Sequence, residues 1–266
     1  MLESVERQRT IGRYAWVMAW FGLVAGQLHA LARHNTVDGK NDLTLPLTRL
    51  WSDPTRSALE PLLDWANPDA VYLTYGKIWL PVFLGFTLCA FVVRRRRRPT
   101  GFEKWAWRVA LTGYVWACFG VFLDYWTQLD TYNAVFGPAF LITIPGLLLT
   151  LIGSTLLGIA LLRNGLTPKL PAWLLTLMIP LAIGITQVTS MGSFALPVMF
   201  AFGILGHRIA DLDLGPKVVL QRIGEVEPSS PPVEICLAAP PLEVLRTVRR
   251  IVVLSTPLPE LPSQLR

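Results

Sequence analysis

Charge is what this chain has least of. Only 16% of its 266 residues are Asp, Glu, Lys or Arg, against about 25% in soluble domains. The deficit is not spread evenly. It falls in several apolar runs of roughly 14 to 25 residues, most of them long enough to cross a bilayer. Cysteine is scarce too, at three residues. Cys89 and Cys118 fall at different depths of neighbouring runs, Cys236 falls near the end, and none sits in a CxxC, so a disulfide framework and a thiolate metal site are excluded. Histidine also numbers three. No H-E-x-x-H is present, and no G-x-x-x-x-G-K-[ST] or G-x-G-x-x-G loop, so no metalloprotease or nucleotide site is readable. Bis-histidine haem is disfavoured because His29 and His207 belong near opposite faces, roughly 25 Å apart by helical rise, while His34 lies beyond the run. No cofactor is expected. The spans do not restart with similar sequence, so no internal repeat is visible.

What is present is hydrophobic: 52% of residues, with a mean hydropathy of +0.45. The central stretch is Asp69 to Arg98, in which Lys77 is the one formal charge between Val71 and Val93 and five arginines, Arg94, Arg95, Arg96, Arg97 and Arg98, close the run. Such a run resists translocation and marks a cytoplasmic end. That orientation propagates along the chain. The apolar pattern predicts an all-α integral membrane protein, a bundle of six transmembrane helices at about 14–32, 71–93, 105–125, 139–162, 172–188 and 193–206, which together form a domain over 1–208. Basic residues are three before the first span, seven from Arg94 to Arg108, two at Arg163 and Lys169, and seven from Arg208 onward; four lie in the loop 33–69. This asymmetry predicts both termini inside. The net charge of +6 is accounted for by these flanks, so nucleic acid is not expected as a partner. The bilayer is, and the arginine run reads as a topological anchor or a site for anionic lipid heads. Arginine outnumbers lysine 19 to 5, a usage associated with GC-rich bacterial genomes; the expected location is a bacterial inner (plasma) membrane.

The first span ends in Ala30-Leu31-Ala32, an A-x-A form, but its length and its Trp16, Trp20, Gln27 and His29 favour an uncleaved helix over a signal peptide. Small residues recur along it at Ala15, Ala19, Gly22, Gly26 and Ala30, and along the fourth span at Gly146, Thr150, Ser154 and Gly158, two faces suited to close helix packing. The loop 33–69 is polar and extended, with a short amphipathic helix expected at Ser57–Trp65 and Trp51 and Trp65 at the interface. Pro180 and Pro197 interrupt the last two spans. The segment 209–266 carries nine prolines and reads as a largely disordered cytoplasmic tail, with a basic amphipathic helix at 240–254.

One constellation stands out. Gln27 and His29 on the first span, Tyr72, Thr74, Tyr75 and Lys77 on the second, Asp124, Tyr125 and Gln128 on the third and Gln187 on the fifth all belong to the outer third of the bilayer or its edge. Ionisable groups there are functional candidates, because unpaired charge in lipid is expensive. Lys77 and Asp124 are expected within direct or water-bridged reach, as an ion pair fixing two helices or as part of a ligand pocket. Two functions follow. The first is a non-enzymatic subunit or scaffold, packing with membrane partners or copies of itself through the small-residue faces. The second is binding or transport of a small polar or lipid molecule at the outer cluster. A membrane enzyme using Asp124, His29 and Lys77 ranks third.

Overall fold

A computed structural model describes residues 4–129, 131–189 and 191–211. Every regular element among them is helical. Five helices are long and apolar enough to cross a membrane, and a bent pair raises the number to six if it counts as one span. The first is α1, Val5–Asn35, started by Ser4, whose side chain accepts from the Arg7 amide and so satisfies one of the free donors of the first turn. Next come α2 (Pro46–Ala58), α3 (Glu60–Leu63), α4 (Pro68–Gly76), α5 (Trp79–Arg97) and α6 (Gly101–Val121), then α7 (Phe136–Arg163), α8 (Lys169–Thr176), α9 (Met178–Val188) and α10 (Leu196–Asp211). The segment 240–254 lies outside the described residues, as does Cys236; Cys89 and Cys118 are free thiols.

Proline explains where the spans break. A helical proline lacks an amide proton and its ring crowds the carbonyl four residues earlier. For Pro81 that carbonyl belongs to Lys77, and α4 gives way to α5 at Lys77-Ile78. The freed Lys77 carbonyl is taken by the Trp126 indole at 3.1 Å. For Pro180 it belongs to Thr176, and α8 ends there, so that α9 departs at 70°.

The small-residue faces meet inside the chain. Gly12 of α1 faces Gly206 of α10 so closely that a Cβ on Gly12 would stand 2.3 Å from the Gly206 carbonyl oxygen. On α7, Gly146 abuts the Trp116 ring, Gly158 abuts the Thr176 backbone, and Ser154 bonds the Tyr114 hydroxyl at 2.8 Å. The opposite face of α7 is exposed and apolar, with Leu141, Leu148 and Ile152, as lipid contact requires.

At the arginine-rich end, Glu103 in the first turn of α6 is 5% exposed and ties three helices. It accepts from Arg97 Nε at 2.8 Å and Nη2 at 3.1 Å, from the Trp107 indole at 3.2 Å and from the Asn164 amide at 2.5 Å. Arg96 donates to Gln8 at 2.6 Å.

The opposite end carries the larger departure from the sequence reading. The loop 33–69 is not extended: α1 continues to Asn35, a 3₁₀ turn covers Asp38–Thr44, and α2 occupies Pro46–Ala58, while Ser57–Trp65 is split between two helices. Polar side chains inside the layer made this possible. His34 Nδ1 bonds Ser52 Oγ at 2.8 Å, Arg33 bonds Asp42 at 2.7 Å and Arg56 bonds Asn35 at 2.8 Å. Thr48 donates to the Gln187 carbonyl at 3.0 Å and Trp51 to the Val188 carbonyl, so the layer is fastened to the end of α9.

Candidate ligand-binding cavity

Beside that layer lies a partly open cavity of about 230 Å³, lined by residues of α1, α4, α5, α6, the turn after α6, α7 and the turn before α10. An engineered apolar cavity of about 150 Å³ is enough for benzene, so this one has room for a somewhat larger molecule. Most of its wall is aromatic or aliphatic, including Phe83, Val121, Phe140, Leu147 and Phe194. Four polar or charged side chains interrupt this surface: His29, Arg33, Asp124 and Thr143.

Local structure sets each of them. His29 and Arg33 are one turn apart on α1 and share a face. The His29 ring is 1% exposed, stacked on Tyr72 at 4.7 Å between centroids. Its Nδ1 accepts from the Trp79 indole at 3.1 Å. Since an indole nitrogen only donates, Nδ1 carries no proton and Nε2 carries the ring's proton. Nε2 is buried and has no partner. Asp124 lies in a π-helical turn, Phe122–Trp126, that ends the α6 span. One carboxylate oxygen accepts from Thr143 Oγ1 at 3.2 Å; the other, Oδ1, is buried without a partner. The cavity is therefore lined by residues carrying an unused N–H donor and an unused oxygen acceptor. Two hydroxyls close it toward the loop layer, where Tyr72 and Tyr125 bond each other at 3.1 Å. The Tyr125 ring packs against the backbone of α4: a Cβ at Gly76 would stand 2.0 Å from that ring. Arg33 reaches over Tyr72, with its guanidinium carbon 6.0 Å from the ring centroid.

Of the residues singled out in sequence, His29 and Asp124 meet at this cavity. Lys77 does not join them. Among the described residues no ion pair links Lys77 to Asp124, and Lys77 is not part of the wall. The direct form of the expected direct or water-bridged pair is absent among the described residues: the π turn directs Asp124 to Thr143 on α7, while Lys77 sits at the α4–α5 corner, where its carbonyl engages Trp126. Gln128 is buried but serves its own loop, accepting from the Asn133 amide at 2.8 Å. The Tyr75 hydroxyl caps the Leu62 carbonyl at 2.8 Å. Gln187 is exposed and contributes a backbone carbonyl to the loop layer, and Gln27 is half-buried and outside the wall. Arg33, Trp79 and Thr143 were missed. Signals existed for two: Arg33 follows His29 by four residues, and Trp79 follows Tyr72 by seven, the spacings of one helical face. No cluster of His, Cys, Asp and Glu suited to a metal occurs among the described residues.

Fold and site together define a class: an all-helical membrane-type bundle with a part-polar chamber set between its helices. No protein-family model, curated protein or solved structure matches the chain, so function rests on this geometry.

Proposed function

We propose that this protein is a non-enzymatic, multi-pass membrane protein that binds or carries a small amphiphilic molecule in the chamber between His29 and Asp124. Its topology in this reading is six spans, with α8 and α9 forming the fifth, both termini and the proline-rich tail cytoplasmic, and the chamber in the outer half of a bacterial plasma membrane. The positive-inside asymmetry supports that orientation.

The observation that carries the reading is that two residues lining one cavity each carry a buried polar atom without a partner. Leaving a buried donor or acceptor unmade costs about 1–3 kcal/mol each, and two of opposite role beside one cavity form a recognition pair. A ligand that both accepts from His29 Nε2 and donates to Asp124 Oδ1, with an apolar body against Phe83 and Phe140, satisfies both. The alternative role, a subunit packing with partners through small-residue faces, loses its specific support, because those faces pack against this chain's own helices.

The test is calorimetric titration of the full-length chain in lipid nanodiscs with phenol and with toluene, against empty nanodiscs. Phenol supplies one donor and one acceptor on the same ring. It should bind about tenfold tighter than toluene, the worth of one or two net hydrogen bonds. The doubly substituted His29→Phe, Asp124→Leu chain should lose that preference. Equal binding of the two probes, or no binding of either, refutes the reading and leaves the chamber as a site for structural water.

A further inference from the structure

A second concavity shares no lining residue with the chamber. It is an open groove of about 620 Å³ between α5, α6 and α7. Its floor is apolar, running along Leu111, Val115, Trp116 and Phe119. Its arginine-rich end holds Arg94, in the last turn of α5, and Arg108, in the second turn of α6.

These two arginines differ from Arg96 and Arg97. Arg97 is committed to Glu103 and Arg96 to Gln8. Neither Arg94 nor Arg108 has a side-chain hydrogen bond or ion pair among the described residues. Two cations thus line one end of an apolar trough, and no anion among the described residues pairs with either. The trough's length is informative as well. Arg108 to Phe119 is eleven residues of α6, about 16 Å at 1.5 Å per residue. Half of a hydrocarbon core about 30 Å thick is about 15 Å, so the trough is as deep as one leaflet.

We infer that this groove is a binding site for an anionic glycerophospholipid, with one acyl chain along Leu111–Phe119 and the phosphate held by Arg94 and Arg108. A headgroup with a net negative charge satisfies both guanidiniums, which favour phosphate oxygens in a forked geometry. Basic pockets between membrane helices at the cytoplasmic side are suited to such headgroups. A zwitterionic lipid offers the same chain but brings a quaternary ammonium beside the two arginines, so chain contacts alone do not distinguish it from bulk lipid. The site is separate from the His29–Asp124 chamber and stands or falls independently of it.

The experiment is native mass spectrometry of the full-length chain, delipidated in detergent and titrated with dioleoyl phosphatidylglycerol or dioleoyl phosphatidylcholine. The unmodified chain should retain the glycerol lipid at least tenfold more tightly. Arg94→Gln with Arg108→Gln should erase most of that difference, about fivefold per arginine. Lys104→Gln, an exposed cation of the same end outside the groove, should leave it unchanged. Val115→Trp fills the trough without altering charge and should weaken retention of both lipids. Thermal unfolding of each variant separates loss of binding from loss of fold. Equal retention of the two lipids by the unmodified chain, or undiminished preference in the double arginine variant, overturns the proposal. So does unaltered binding in Val115→Trp, which would leave a charged surface without a groove site.

Discussion

Glu103 offers the sharpest test of how the arginine-rich end is held together. Replacing it with alanine removes the acceptor for four hydrogen bonds from three residues, Arg97, Trp107 and Asn164. Removing one partner of a buried ion pair costs about 3–5 kcal/mol. The Arg97 side chain is 24% exposed, so water recovers part of its loss; the Trp107 indole is fully buried and recovers nothing. The expected cost is about 3 kcal/mol, near the lower bound of that range. Glu103→Gln keeps an oxygen for Trp107 or Asn164 and should cost about 1–2 kcal/mol, two net hydrogen bonds of the usual size. Arg97→Gln should cost a similar amount, because Glu103 retains its other donors. The Arg97→Gln, Glu103→Gln cycle should then show a coupling of about 1–2 kcal/mol, well above the roughly 0.5 kcal/mol scatter of independent sites. Stability is measured by unfolding the detergent-solubilised chain in a dodecyl sulfate titration followed by circular dichroism. A cost under about 0.5 kcal/mol for Glu103→Ala, or additive single changes, refutes the reasoning, since a solvated carboxylate behaves that way.

Lys77→Met and Asp124→Asn should be additive within about 0.5 kcal/mol in the same assay, as no ion pair joins them; strong coupling would restore the bridged pair expected from sequence. Gly12→Ala should cost about 1–3 kcal/mol by overpacking against the Gly206 carbonyl, whereas Gly184→Ala, where a Cβ meets nothing within 4 Å, should be neutral or stabilising; equal effects would contradict the α1–α10 contact. A reporter fused after Arg266 that is active only outside the cytoplasm should be silent, and activity would reverse the proposed orientation. Neutralising Arg94 to Arg98 together should give mixed orientation of the second span, read by labelling of a cysteine introduced in the loop 33–69; unchanged labelling would assign the run to binding rather than topology.

The helical class and the positions of the apolar runs were legible because bilayer thickness imposes a length on them. Breaks were legible in part. Pro180 marked an interruption, but its effect falls four residues earlier, at Thr176, and Pro81 was not read as a corner at all. His29 and Asp124 stood out because polar groups are rare inside spans. Their geometry did not, because a π turn shifts the facing of every residue after Val121 and leaves no mark in a hydropathy pattern. The folded loop was hidden for another reason: its order comes from long-range polar contacts such as Thr48 with Gln187, to which local composition is blind.

Those contacts also constrain how the chain is made. The acceptors for Thr48 and Trp51 lie 139 and 137 residues downstream. At a synthesis rate of about 5–20 residues per second, the layer waits about 7–30 s for its anchor. Throughout that interval the Trp51 indole has no Val188 carbonyl to bond, and the chamber has no lid fixed at that side. Gly12 waits longer still for Gly206, on the last of the described helices to emerge. The first span is therefore covered in two stages: Gly22 and Gly26 can meet Val82 and Trp79 of α5 early, while Gly12 stays open until α10 arrives, free for whatever helices the insertion machinery offers.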